Sequence, residues 1–160
     1  MYKAIVKLLA SKIFQKRVIM KDALGQSIID TGSVDDIMHL ANTCFNTIAY
    51  DNYPIVSEAS VQTFMQILFL AGKQNIIPER HQAKGRAYLM IETERRRIVF
   101  ELKFANNEDE AKTKLNEAIA QIKERDYGNI VPIKDELLRI AAVFNADPKV
   151  RQFSLYQKVE

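Results

Sequence analysis

The sequence predicts an α/β fold in which a mixed central sheet carries helices on its faces and a helical layer is added at the N-terminus. Three observations carry this expectation. Up to Ala71 the apolar residues recur at helical spacing. From Gly85 to Lys103 the period switches to that of two strands joined by a short polar loop. A helical stretch at 107–125 then separates this pair from a further strand at 137–144, and a crossing of that kind makes the strands it joins parallel neighbours through a right-handed connection.

The chain has 160 residues, enough for one domain with a real core. Hydrophobic residues make up 48% and charged residues 27%, as in a soluble globular protein. No apolar run approaches the roughly 20 residues of a membrane span, and Lys3, Lys7 and Lys12 interrupt the pattern that a signal peptide would need. Cys44 is the single cysteine, which excludes an internal disulfide and a cysteine-based zinc site. A cytoplasmic location without membrane contact is expected. The net charge of +3 permits nucleic-acid contact without arguing for it.

In order, residues 2–15 place Ile5, Leu8, Leu9 and Ile13 at helical spacing. Residues 18–29 predict a second helix, which the Asp30-Thr31-Gly32 run breaks. Ser33 with Asp36 three residues on is a capping-box pattern, followed by Ile37, Leu40, Ala41, Cys44 and Ile48 on one face. Cys44 is therefore a buried small hydrophobe, whereas His39 lies off the stripe. Tyr50 to Pro54 is a loop. Ser57 caps a helix striped by Val61, Phe64, Met65, Leu68 and Phe69, and Gly72 ends it. Glu58 in its first turn suits the helix dipole.

A short strand is expected over 75–80, then a polar connection through His81, then strands at 86–92 and 96–103. Arg95, Arg96 and Arg97 predict an exposed turn between the latter two, able to contact phosphates or simply solvated. The helix at 107–125 has Glu108, Asp109 and Glu110 in its first turn and Lys123 and Arg125 in its last, with Tyr127 packing its end. The turn Asn145-Ala146-Asp147-Pro148 leads to a last strand at 150–159.

The chemistry concentrates at Glu101 and Lys103. Two residues apart on a strand, they share a face, while Leu102 points the other way. A carboxylate can hold a divalent cation, and the ammonium beside it can hold a water or a phosphate, an arrangement suited to metal-dependent phosphodiester hydrolysis. The bland alternative is an exposed ion pair at a strand end. The spacing alone is weak, since Glu110-Ala111-Lys112 repeats it in a helix.

The ordered set of motifs resembles the PD-(D/E)xK nuclease superfamily, and more narrowly the C-terminal nuclease-like domain of bacterial AAA-ATPase-like proteins of unknown function. Gly32-Ser33-Val34-Asp35-Asp36, Ile48-Ala49-Tyr50 and Glu58 with Gln62 resemble its helical lead-in. Gly85-Arg86-Ala87 resembles its Gly-Arg-x-Asp strand, and Phe100-Glu101-Leu102-Lys103 its Glu-x-Lys strand. Gln121-Ile122 with Tyr127 resembles its second helix, and the run from Arg139 to Phe144 its fourth strand. The resemblance implies a restriction-endonuclease-like αβββαβ core over 57–160, with residues 1–56 as an N-terminal helical extension packed on it. It implies Glu101 as a metal ligand, Lys103 as the group that orients water or steadies the phosphate, Glu58 as an auxiliary acid and ligand, and Gln121 as a lining residue. Mg²⁺ or Mn²⁺ would be the cofactor of an active enzyme.

One position departs. Tyr88 stands where the family has a metal-binding Asp. Glu92 shares its strand face but lies about 13 Å away, four residues at the strand rise. Glu79 belongs to another strand. Three functions follow: a degenerate nuclease fold that binds nucleic acid or protein, an active divalent-metal DNA endonuclease using Glu58, Glu101 and Lys103, or a protein-interaction module. The missing Asp favours the first. Lys84, Arg86 and Arg95 to Arg97 are the candidate contacts to DNA or RNA, and a protein partner or an ATPase domain is the other expected neighbour.

Overall fold

The computed structural model describes residues 2–14, 23–72, 74–77 and 89–160. Within them the chain forms α1 (Tyr2–Ile13), α2 (Ala23–Thr31), α3 (Val34–Phe45), α4 (Glu58–Ala71), β1 (Asn75–Ile77), β2 (Leu89–Glu92), β3 (Arg96–Ala105), α5 (Glu108–Arg125), β4 (Glu136–Asn145) and β5 (Gln152–Lys158). Local chemistry sets several of these limits. The Ser33 and Ser57 hydroxyls accept from the amides of Asp36 and Ser60, and both residues' side chains reach back, which closes two capping boxes. Asn107 accepts from the Glu110 amide and starts α5. Gly72 ends α4, as expected.

The five strands lie in the order β1-β2-β3-β4-β5. β3 and β4 are parallel over ten pairs, from Arg96–Glu136 to Ala105–Asn145, with α5 as the crossing between them. The other neighbours are antiparallel, so the sheet is mixed. The order from α4 onward (helix, three strands, helix, two strands) is the predicted one.

Alternation along β3 divides the core. Ile98, Phe100 and Leu102 join one large apolar cluster with Phe14 just after α1, Ile37 and Phe45 of α3 and Val61 and Phe69 of α4. Val99 faces the other side, with Ala118 and Ile122 of α5 and Tyr127 beyond its end. The N-terminal helices thus share a single apolar cluster with the sheet. Cys44 is buried, as expected.

Boundaries move where distant contacts outweigh local pattern. α3 stops at Phe45, and Ile48 bridges to Phe14 instead of extending the helix. α2 continues through Asp30 and Thr31, which were expected to break it; Gly32 ends it by donating its amide to Ile28. The parts of expected elements at 15–22, 78–80 and 86–88 lie outside the described residues, as does His81.

The arginine turn is the main correction. Arg96 and Arg97 begin β3 and are buried, 5% and 2% exposed. Arg96 donates to Glu136 through Nε at 2.8 Å and to the Gly32 carbonyl through Nη1 at 2.8 Å, tying the end of α2 to the sheet. Arg97 pairs with Glu92 and donates to the carbonyls of Gly128, Ile130 and Pro132 at 2.8, 2.7 and 2.9 Å. Each guanidinium is consumed by partners that include groups from distant sequence, and only Arg95 has the exposure the sequence suggested, beside Asp135 at 3.9 Å.

Gly128 supports the Arg97 clamp. Its φ is +83°, and a Cβ there would meet Val99 and Leu137 carbons at 2.7 Å. Replacing Arg97 by Met leaves the mostly covered Glu92 carboxylate and three carbonyls without that donor. Urea titration should show a loss of about 3–5 kcal/mol, whereas Arg95→Ala should stay within about 0.5 kcal/mol of wild type. Similar midpoints for both variants would refute the division into clamp and surface arginine.

Candidate active site at Glu101 and Lys103

Glu101 and Lys103 follow Val99 on the α5 side of the sheet by strand alternation. β3 is the third of five strands, so neither residue lies at a sheet edge. Glu101 is 0% exposed and Lys103 2%. The exposed strand-end pair is therefore overturned: the sheet and α5 remove both groups from water.

Lys103 Nζ lies 2.8 Å from Glu101 Oε1 and 3.3 Å from Glu58 Oε1. Glu58 arrives from another element. The Ser57 cap makes it the first residue of α4, and its side chain stays 44% exposed. One ammonium thus touches two carboxylates, one fully buried and one at the rim.

The carboxylate of Glu101 is poorly satisfied. Its contact with Lys103 is close, yet neither Oε1 nor Oε2 has a well-aligned hydrogen bond among the described residues. Gln121 Oε1 on α5 is likewise buried and unpartnered. Beyond the Lys103 ammonium at Glu101 Oε1, these buried oxygens have no donor among the described residues, in a region where each unsatisfied acceptor costs free energy. Burial pushes the Glu101 carboxyl above its ordinary range. Lys103 opposes that rise, Glu58's charge adds to it, and Arg125 on α5 lowers it slightly.

Among the sequence-predicted residues, the structure brings together Glu101, Lys103 and Glu58. It places Gln121 on the helix covering the same face, between Ala118 and Ile122, which pack on Val99. Tyr88, Lys84, Arg86 and Glu79 lie outside the described residues. Glu92 is committed to Arg97, with Lys134 Nζ a further 3.8 Å from it. Arg125 went unnoticed as a contributor. Its signal was present, since it follows Gln121 by four residues and shares its helical stripe.

A hard divalent cation prefers several oxygen ligands, usually including carboxylates. Glu101, Glu58 and Gln121 have oxygens of the right kind. Yet no group of three Asp, Glu, His or Cys residues able to hold a metal occurs among the described residues. The ammonium of Lys103 also lies against both carboxylates. The described residues alone therefore do not complete such a site.

A mixed sheet with a buried Glu-x-Lys pair on a central strand, flanked by α4 and α5, defines a nuclease-like α/β domain of the restriction-endonuclease type. The family model of the PD-(D/E)XK nuclease superfamily matches residues 56–153, from just before α4 into β5, and the chain belongs to that superfamily. Its members commonly use divalent metals. No curated protein matches the chain. No helix among the described residues is long and apolar enough to cross a membrane.

The raised Glu101 carboxyl gives a signed stability prediction. With its carboxyl raised, Glu101 binds a proton more tightly in the native state than in the unfolded chain, whose ordinary value is 4.5, so this contribution is present below that pH and lost as pH rises through the folded value. Lys103→Met removes the main opposing charge and raises the folded value further. The variant should lose about 3–5 kcal/mol at pH 7.5 and much less at pH 4.5, by urea titration. Adding Glu101→Gln should recover most of the loss at pH 7.5. A penalty that is equal at both pH values would contradict the buried-carboxylate account.

Proposed function

We propose that this chain is a nuclease-fold domain with a degenerate metal site, impaired in cleavage and retained for binding nucleic acid. The observation that carries the proposal is the ammonium of Lys103 set against both Glu101 and Glu58. A fixed positive charge already stands against both carboxylates that a divalent cation would use. The sequence supports the same reading. Tyr88 stands where the resemblance expects Asp, directly before Leu89, whose strand partner is Phe100. A phenol is a poor replacement for a carboxylate toward a hard cation. Lys84, Arg86 and the exposed Arg95 are assigned to phosphate contacts, while Arg96 and Arg97 drop out as buried braces. The narrower resemblance adds a setting beside an ATPase, as a domain of the same polypeptide or as a partner.

A second reading has its own observation. The under-satisfied oxygens of Glu101 and Gln121 among the described residues are acceptors of the kind a divalent cation would use. In that reading Glu101 and Glu58 hold Mg²⁺ or Mn²⁺, which supplies Lewis-acid stabilisation and a more acidic water. Lys103 then steadies the phosphate, and Gln121 lines the site.

Calorimetry with Mn²⁺ and a DNA-cleavage assay separate the readings. Wild type should show no saturable Mn²⁺ binding at micromolar metal and no cleavage. Tyr88→Asp should create measurable binding, and Glu101→Gln on that background should abolish it. Wild-type protein that binds Mn²⁺ tightly and cuts DNA establishes the second reading. Failure to bind DNA or RNA even at low salt would instead favour a protein-interaction module.

A further inference from the structure

Most described arginines are engaged. Arg95 lies beside Asp135, Arg96 holds Glu136, Arg97 holds Glu92, Arg125 donates to the Tyr127 hydroxyl and Arg139 pairs with Asp126. Arg151 differs. Its guanidinium carbon lies 4.0 Å from the centroid of the Tyr50 ring, and the group makes no hydrogen bond or ion pair with a described residue. Among the described residues its five N–H donors are held in place without an acceptor.

The backbone maintains this display in a conformation that arginine seldom adopts. Arg151 has φ of +44°, at the end of a turn where the amides of Val150 and Arg151 both donate to the Asp147 carbonyl. Glycine or asparagine is the usual occupant of such a position, and strained positions concentrate at functional sites. The Tyr50 ring is itself fixed, since its hydroxyl donates to the Ile55 carbonyl at 2.7 Å. Arg151 and Tyr50 line an open recess of about 280 Å³ together with Ile48, Ala49, Asp51 and Asn52.

Its place in the fold ties this recess to the site. Arg151 precedes Gln152, which pairs with Asn145, which pairs with Ala105, two residues beyond Lys103 on β3. Sheet spacings put Arg151 roughly 14 Å from Lys103. Tyr50, through Ile55, is fixed three residues before Glu58. Both halves of the pair therefore belong to the end of the sheet at which Glu58 meets Lys103.

Resting on the nucleic-acid reading above, we infer that Arg151, stacked on Tyr50, is a phosphate-contact site for a polynucleotide strand passing the Glu58–Lys103 cluster. A planar fork of donors held against an aromatic face suits a phosphate diester, which it can grip through two oxygens. Asp51 in the same recess disfavours a free phosphate dianion. With Asn52 it offers acceptors to the hydroxyl and amino groups that a nucleotide unit carries and inorganic phosphate lacks.

Fluorescence anisotropy of a labelled single-stranded oligonucleotide tests this, with Arg151→Gly as the main variant. Glycine suits the positive φ, so the melting temperature should not fall. Binding should weaken about tenfold at low salt, and the slope of log affinity against log salt should shrink by roughly 0.7. Arg151→Lys, which keeps the charge without the fork, should fall between. Millimolar inorganic phosphate should not displace the strand. If Arg151→Gly binds like wild type, the inference fails while the nucleic-acid reading stands. If wild type binds no oligonucleotide, both fail. Displacement by inorganic phosphate alone would make the recess a small-anion site and overturn the strand assignment.

Discussion

The burial of charge on one strand governs this molecule. β3 carries Arg96, Arg97, Glu101 and Lys103, all 5% exposed or less. Removing an ion from water costs several kcal/mol unless partners replace the lost solvation. Each of these residues therefore recruits a partner, and several of the partners come from elements far along the chain. Arg96 takes Glu136, Arg97 takes Glu92 and the loop carbonyls at 128–132, and Lys103 takes Glu101 and Glu58. The register of β3 against β4 and the approach of α4 to the sheet must satisfy these pairings as well as the apolar core.

The two ends of the strand differ in how fully that demand is met. Around Arg96 and Arg97 every guanidinium nitrogen has an acceptor, which is the mark of a structural brace. Around Glu101 neither carboxylate oxygen has an aligned donor among the described residues, and the buried Oε1 of Gln121 has none there either. Natural proteins satisfy most buried polar atoms, so an under-satisfied cluster on a central strand points to function rather than stability. The match to the PD-(D/E)XK nuclease superfamily spans this cluster. Family membership supplies the fold and the kind of site, while the balance between Lys103 and a cation at the two carboxylates decides what the site does.

Much of the architecture was legible in the sequence because it is written locally. Ser33 and Ser57 each precede a helix-period stripe with a short polar residue at the third helical position, and both cap as read. The change from period 3.6 to period 2 located β2 and β3, and the helix between β3 and β4 implied their parallel pairing. Glu101 and Lys103 were visible through their two-residue spacing. The rest required distant partners. Three consecutive arginines look like a solvated turn until Glu136 and the 128–132 carbonyls are brought beside them, contacts made across 31 to 40 positions. Likewise, nothing local indicated that Glu58 would meet Lys103, 45 positions away. Ile48 left its helical stripe because Phe14 offered it a bridge.

The central proposal is that Lys103, and not a divalent cation, is the positive charge held against Glu101 and Glu58. A crystal of wild-type protein soaked in Mn²⁺ and measured where manganese scatters anomalously tests it directly. The account predicts no anomalous peak between the two carboxylates and Lys103 Nζ still in contact with both. A manganese peak bridging Glu101 and Glu58, with Lys103 turned away from them, would contradict it.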